Sequence, residues 1–246
     1  MGVLTSEQPK CMTKISSFET ILSRQLNQIA SAGINEVVMT TGYFDSVLVE
    51  YCKELDLPLH YEFVSNPLFR ETNYIYSIYC ARNYLDDDIV LMHGDLVFEN
   101  SVFEEVINSA VSCMAVSSTL PLPEKDFKAV IKDGHISKVG IEFFDSAMAA
   151  QPLYFLKKKD WKVWLDEIVS FCESNNRKCY AENAFNEVSD KALIFPMDVK
   201  DKLCSEIDNP EDLKVVSSRL KEIENRTVYV CFSADMLHSG HFAIIK

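Results

Sequence analysis

The feature that most constrains this chain is its alternation of short, continuous apolar runs with stretches of helical periodicity. Glu36–Thr41 (EVVMTT) and Asp88–His93 (DIVLMH) read as buried strands, and Cys113–Ser118 as a further strand. Between and before them, Glu19–Ala32 places Ile21, Leu22, Leu26 and Ile29 on one helical face, and Gly33 stops that helix. Phe44–Leu55 is a second helix, Leu59–Val64 a second strand, Asn73–Leu85 a third helix, and Ser101–Ser109 a fourth. A β-α-β order of this kind predicts an α/β fold with a mixed, mostly parallel sheet flanked by helices.

The second half departs from that rhythm. Lys128–Val139 reads as two short strands around Asp133-Gly134, a hairpin signal. Trp161–Glu173 is an amphipathic helix, Ala192–Pro196 and Lys202–Ile207 are short strands, and Pro210–Ile223 is a helix capped by Asn209 with proline at its first position. Polar residues Lys221–Arg226 precede a fresh apolar strand, Thr227–Phe232. The expected division is therefore a domain over residues 1–224 and an incomplete second domain over 225–246.

Composition excludes several classes. A net charge of -13 with no lysine or arginine stripe argues against nucleic acid as a partner. No apolar run is long enough to span a bilayer and no secretory leader is recognisable, so a cytoplasmic protein with no membrane partner is expected. Eight cysteines without a Cys-x-x-Cys pair fit buried, reduced thiols rather than zinc or redox chemistry.

Three charged positions carry the chemistry. Asp95 ends the apolar strand DIVLMHGD, at the edge where ligands of open α/β sheets gather. Asp208 follows Glu206 by two residues, so an extended backbone puts both carboxylates on one face, a donor pair suited to a hard cation. Each aspartate equally suits a capping role. Lys10, after Pro9 in an extended segment, is placed to reach a polyphosphate, although a lone lysine is ordinarily just solvated.

In chain order, Leu4-Thr5, Pro9-Lys10, Ile21-Leu22-x-Arg24-Gln25-Leu26 and the Gly33–Val38 strand ending in Thr41-Gly42-Tyr43 resemble the sugar-phosphate and choline-phosphate nucleotidyltransferases, whose fold is Rossmann-like. Asn66-x-x-Phe69-Arg70-Glu71-Thr72-Asn73-Tyr74-Ile75-Tyr76-Ser77, His93-Gly94-Asp95-Leu96-Val97-Phe98 and Glu206–Leu213 narrow the resemblance to phosphocholine and 2-aminoethylphosphonate cytidylyltransferases. The resemblance implies Mg2+-dependent transfer of a nucleotidyl group, CMP from CTP, to a small phosphate or phosphonate such as phosphocholine, with release of pyrophosphate. It implies Lys10 on the nucleotide phosphates, Asp95 and Asp208 as metal ligands with Glu206 a third, and Asn73 and Ser77 lining the nucleotide and acceptor site. It further suggests Tyr74 and Tyr76 as an aromatic wall for a cationic amine, Lys128 for the acceptor's phosphate or phosphonate, and Glu182 and Asn183 for its amine; Asp126 belongs to the same acceptor half.

Two departures stand out. Family members carry a first strand and a Gly-rich phosphate loop ahead of the segment matched by Met1–Thr5; both are missing here, so a chain of this form is expected to be weakly active or inactive. His93 stands where relatives often have an acid. In the tail, His238-Ser239-Gly240-His241 resembles the His-x-Gly-His phosphate motif of a second cytidylyltransferase-type domain, as joined to phosphoenolpyruvate mutase in phosphonate biosynthesis. Alternatives are a sugar-1-phosphate nucleotidyltransferase and a degenerate, non-catalytic scaffold. The base, the acceptor and the oligomeric state, a homo-oligomer included, stay open.

Overall fold

The computed structural model describes residues 8–225. The tail strand, His238 and His241 lie outside the described residues, as does most of the second domain expected there.

Helices cover both faces of a mixed sheet. The strands are β1 (Glu36–Thr41), β2 (His60–Ser65), β3 (Ile89–Met92), β4 (Leu96–Phe98), β5 (Cys113–Ser117), β6 (Lys128–Lys132), β7 (His135–Gly140), β8 (Ala147–Leu156), β9 (Phe195–Asp198) and β10 (Cys204–Glu206). The helices are α1 (Ile21–Ser31), α2 (Asp45–Glu54), α3 (Tyr74–Ala81), α4 (Asn100–Ile107), α5 (Lys158–Glu173), α6 (Ala181–Val188) and α7 (Pro210–Glu224). The longer ones begin and end where local chemistry directs. Thr20 caps α1 in a reciprocal box with Ser23, Gly33 follows its end at φ +77°, and Asn209 caps α7 in a box with Asp212.

Strand alternation sorts the core. Met114 and Val116 of β5 and Tyr154 and Leu156 of β8 join a cluster with Trp161, Trp164 and Ile168 of α5 and Phe185 of α6. Cys113 and Ala115 of β5 and Leu153 of β8 turn to the other face, against Leu22 and Leu26 of α1, Leu48 of α2 and Phe103 of α4. β5 is buried at every position, as its uninterrupted apolar run requires. A third cluster packs α7, through Val216 and Leu220, on Ile21, Val97, Leu203 and Ile207, and Arg24 of α1 ties the end of α7 through Glu224 at 2.9 Å.

The pairings show how the sheet is built. β1–β2 and β5–β9 are parallel, whereas β8 runs antiparallel to β3, β5 and β6, and β6–β7 is the antiparallel hairpin. Antiparallel pairing is more extensive than the front half of the sequence implies, because one long strand, β8, organises the centre. Pro152 lies inside β8, and a proline ordinarily argues against a central strand. It is tolerated because β6 pairs with residues 147–149 and β3 with 153–156, so Pro152 falls between the two ladders. Its carbonyl still accepts from the His93 N–H at 3.2 Å. The hairpin turn has both Asp133 (φ 51°) and Gly134 (φ 80°) in the left-handed region, as a two-residue hairpin turn of this twist needs.

β1 and β2 form a sheet of their own among the described residues, and β3 hydrogen-bonds on one side only, to β8. A cavity of about 500 Å3 separates β1 from β3, lined by Val37, Val38 and Met39 on one side and Leu91 and Met92 on the other, with Leu22 and Leu26 of α1 behind. All four residues of β3 are half-buried where those of β5 are fully buried. Among the described residues, no strand pairs with β1 or β3 across this gap.

Candidate active site

The site forms where β3 and β4 meet β10. β3 ends at Met92, the turn His93-Gly94-Asp95 follows, and β4 then pairs antiparallel with β10, with Leu96 opposite Glu206. This register sets Asp95 beside Ile207, whose N–H donates to the Asp95 carbonyl at 3.0 Å, and so brings Asp208 next to Asp95. The turn is pinned from α1: buried Gln25 donates through Nε2 to the carbonyls of His93 (2.9 Å) and Leu96 (2.7 Å).

Lys10 arrives on a short 3-10 turn, Lys10–Met12, directly after Pro9. Its ammonium pairs with the carboxylates of both Asp95 and Asp208. Burial lowers the Lys10 pKa, but hydrogen bonds to Asp208 and Asp95 and their charges outweigh it, so the ammonium sits above its ordinary value. Three residues separated by 85 and 198 positions along the chain thus meet at one point.

A second cluster adjoins the first. His93 Nδ1 lies 2.7 Å from Glu206 Oε1, and potential ligand atoms of His93, Asp95 and Glu206 lie within 4.8 Å of one another. Burial raises the Glu206 carboxyl, the His93 hydrogen bond opposes that, and Asp95 and Asp208 reinforce it. Asp126 is likewise raised by burial, then by Asp208 and Asp212, which places it beside this acidic group. Asp95 and Glu206 offer clustered carboxylate oxygens of the hard type that Mg2+ takes, and Asp208 joins them through the shared Lys10, so the residues fit such an ion.

The expected site residues divide. Ser77 and Tyr74 join Lys10, His93 and Asp95 in lining the cavity. Ser77 Oγ accepts from buried Asn66 at 3.0 Å, and the Tyr74 ring stands edge-on to His93 with centroids 4.7 Å apart. Tyr76 does not reach the site: two residues further round α3, it stacks on Tyr79 at 5.5 Å beneath the Arg177 guanidinium. Asn73 is spent on capping, its side chain accepting from the Tyr74 N–H. Asn183 caps its own helix by accepting from the Tyr180 N–H at 3.0 Å.

Lys128 and Glu182 also differ from expectation. Lys128 is fully buried; its ammonium donates to the Pro123 carbonyl and lies 4.2 Å from the Phe144 ring, so it is not offered to an incoming anion. Glu182 is buried with both oxygens engaged by tyrosine hydroxyls, so it is not a free partner for an amine. Position in a loop or helix start could not reveal either state, because burial arises from distant elements. Sequence reasoning overlooked Gln25 as a clamp, and Phe127 and Tyr180, which pack edge-on at 5.1 Å next to Tyr74 and His93. Among these, Gln25 was visible as a polar residue on the apolar face of α1. A larger groove of about 1010 Å3, which Asn183 and Arg177 line, carries charges of both signs and lies apart from the acids; size alone does not mark the chemistry.

The sheet and its flanking helices have the nucleotidyltransferase fold, with the lysine-carboxylate group at the sheet edge. Solved structures of that fold superpose over most of the chain. The inositol-1-phosphate CTP transferase of T. maritima matches with a TM-score of 0.71 and 20% identity, covering 90% of this chain and 91% of the other. The CTP:phosphocholine cytidylyltransferase of Streptococcus pneumoniae matches with a TM-score of 0.70 and 16% identity, covering 89% and 92%. By sequence, the chain is 26% identical over 195 residues to the CTP:phosphoglutamine cytidylyltransferase of Campylobacter jejuni, covering 73% of this chain and 76% of that protein. It is 33% identical over 124 residues to the CMP-5'-(3-aminopropyl)phosphonate synthase of Streptomyces rubellomurinus, which is 50% of this chain but only 19% of that protein. Residues 6–138 match the family described as Domain of unknown function (DUF6564), and the chain belongs to that family. Among the described residues, no helix is long and apolar enough to cross a membrane.

Proposed function

We propose that this protein is a cytidylyltransferase that joins CMP, from CTP, to a small phosphate or phosphonate and releases pyrophosphate. The observation that carries the reading is the convergence of Lys10, Asp95 and Asp208 at the open edge of the sheet. Nucleotidyl transfer of this kind needs alignment and neutralisation of charge more than a protein nucleophile. Asp95 and Asp208, with Glu206 beside them, would hold Mg2+. A bound Mg2+ supplies Lewis-acid neutralisation of phosphate oxygens. Lys10 is held ready by the two carboxylates and is free to turn onto the phosphate chain when a triphosphate enters, keeping its positive charge near the transferring phosphorus. Gln25 keeps the Asp95 turn in register.

The acceptor enters on the side walled by Tyr74, His93, Phe127 and Tyr180. Aromatic faces beside carboxylates favour a cationic group, so the acceptor class is an amine-bearing phosphate or phosphonate. The names of the two sequence relatives support this choice: phosphoglutamine and 3-aminopropylphosphonate both pair a phosphorus acid with nitrogen.

The test is a screen of each nucleoside triphosphate against phosphocholine, 2-aminoethylphosphonate, phosphoglutamine and sugar 1-phosphates, with Mg2+, read as pyrophosphate release. The expected result is release with CTP and an amine-bearing acceptor. Release only with sugar 1-phosphates would replace this reading with a sugar nucleotidyltransferase, and no release with any pair would leave a scaffold.

A further inference from the structure

Glu182 opens α6 and is 1% exposed. Among the described residues no lysine, arginine or histidine forms an ion pair with it; its partners are two phenols. Tyr154, on β8 and itself 2% exposed, donates to Oε1 at 2.7 Å, and Tyr74, at the start of α3, donates to Oε2. A buried carboxyl without a cation persists only where hydrogen bonds satisfy it. Burial pushes this one up to about 8, with the charge of Glu206 adding to the effect. Tyr154 is wedged edge-on against Trp164, whose indole N–H donates to the Ala181 carbonyl, so this end of the network is anchored in the core. The other end is not. Tyr74 presents its ring to His93, and His93 in turn holds Glu206.

We propose that Glu182 is a positioning residue for the acceptor half of the site. It ties the Tyr74 hydroxyl to the rigid Tyr154–Trp164 core and so fixes the phenol ring against His93. The inference rests on the cytidylyltransferase reading for its catalytic consequence, and on geometry alone for the placement of the ring. Without the tether, Tyr74 sits on the first turn of a short helix with other rotamers open to it, and the wall on which the acceptor packs loses its shape. The consequence falls on acceptor binding rather than on turnover, because Lys10, Asp95 and Asp208 are held by separate contacts.

The experiment compares Tyr74→Phe, which removes only the tethered hydroxyl, with Glu182→Gln, which keeps the shape and hydrogen-bonding capacity of the anchor, and Tyr154→Phe, which cuts the opposite contact. Two readouts are taken on the full chain. The first is the His93 ring signal in proton-carbon NMR without substrate, assigned with His93→Gln, since the adjacent Tyr74 ring shifts it. The second is KM and kcat for the acceptor. Tyr74→Phe is expected to move the His93 signal and raise acceptor KM at least ~5-fold with kcat within about 2-fold, while Glu182→Gln stays near the wild type in both. An unmoved His93 signal and unchanged KM in Tyr74→Phe would overturn the proposal. So would a larger effect of Tyr154→Phe than of Tyr74→Phe on the His93 signal and on acceptor KM, which would mark the network as general packing. Absence of wild-type turnover with every acceptor would instead refute the parent reading, and the His93 signal would still decide whether the tether positions the ring.

Discussion

Two carboxylate settings in this protein differ in what their oxygens meet. Asp95 and Asp208 stand at the edge of the sheet, partly open to solvent, and share the Lys10 ammonium. Glu182 lies behind them with no cation, its oxygens turned to Tyr74 and Tyr154 and its pKa pushed up to about 8 by burial. The Lys10 ammonium offsets charge at the edge, whereas the interior around Glu182 penalises it. The difference separates the acids proposed to meet ions from the one proposed to shape the wall beside them. Acids that look equivalent in sequence therefore have different uses, and the partner atom decides which.

The largest test of this contrast is at the edge. Asp95→Asn and Asp208→Asn are expected to reduce Mg2+-dependent pyrophosphate release by roughly 100-fold or more, with Tm within ~3 °C of the wild type, since half-exposed charges contribute little to stability. Undiminished release by both variants would remove the chemical role assigned to that group. Lys10→Met is expected to cost less, roughly 10-fold to 100-fold in kcat/KM for CTP. A loss confined to the acceptor's KM would move Lys10 to the wrong half of the site.

The buried acid should answer in stability instead. Glu182→Ala leaves two phenol hydroxyls without a partner and opens a cavity, so denaturant unfolding is expected to show a loss of about 2–4 kcal/mol. The pH dependence sharpens the point. Between the ordinary glutamate pKa near 4.5 and the folded value of about 8, the folded state holds a proton that the unfolded chain has released, so stability falls as pH rises across that window. The groups facing Glu182 are Tyr74 of α3, Tyr154 of β8 and, at longer range, Glu206 of β10, none of them a cation that would reverse the sign. Glu182→Gln should flatten that slope between pH 5 and 8, and an unchanged slope would show that the carboxyl is ionised in place. The smallest effect belongs to Tyr76→Phe, whose ring lies on the far side of α3: kcat and KM are expected to stay within about 2-fold. A loss equal to that of Tyr74→Phe would merge the two faces of the helix.

The elements of the front half were legible because each carries its own signal. β1, β3 and β5 are apolar runs, α1 is bounded by Thr20 and Gly33, and α7 by Asn209 and Pro210. β8 was not legible, since Pro152 conceals a strand whose two halves pair with different neighbours. At the site, Asp95 could be singled out because a strand end is a local property, and Asp208 because two acids alternate around Ile207. Tyr74 and Tyr76 could not be told apart, since the rotation of α3 on the sheet is set by Ile75 and Ile78 packing into the core. Lys128 and Glu182 are expected from the resemblance to face the acceptor, and their burial comes from Phe144 in one case and from β8 and α5 in the other.

The sequence by itself determined the α/β class, most elements and the three charged residues on which the proposed chemistry turns, because periodicity, caps and strand ends are written within a few neighbouring positions. Only the tertiary structure decided that Asp95 and Asp208 share one ammonium, that Glu182 faces tyrosines rather than substrate, and which side of α3 meets the cleft. Those outcomes depend on the register of β4 against β10 and on burial by elements far away in the chain, and proximity and desolvation are properties that no local stretch of residues encodes.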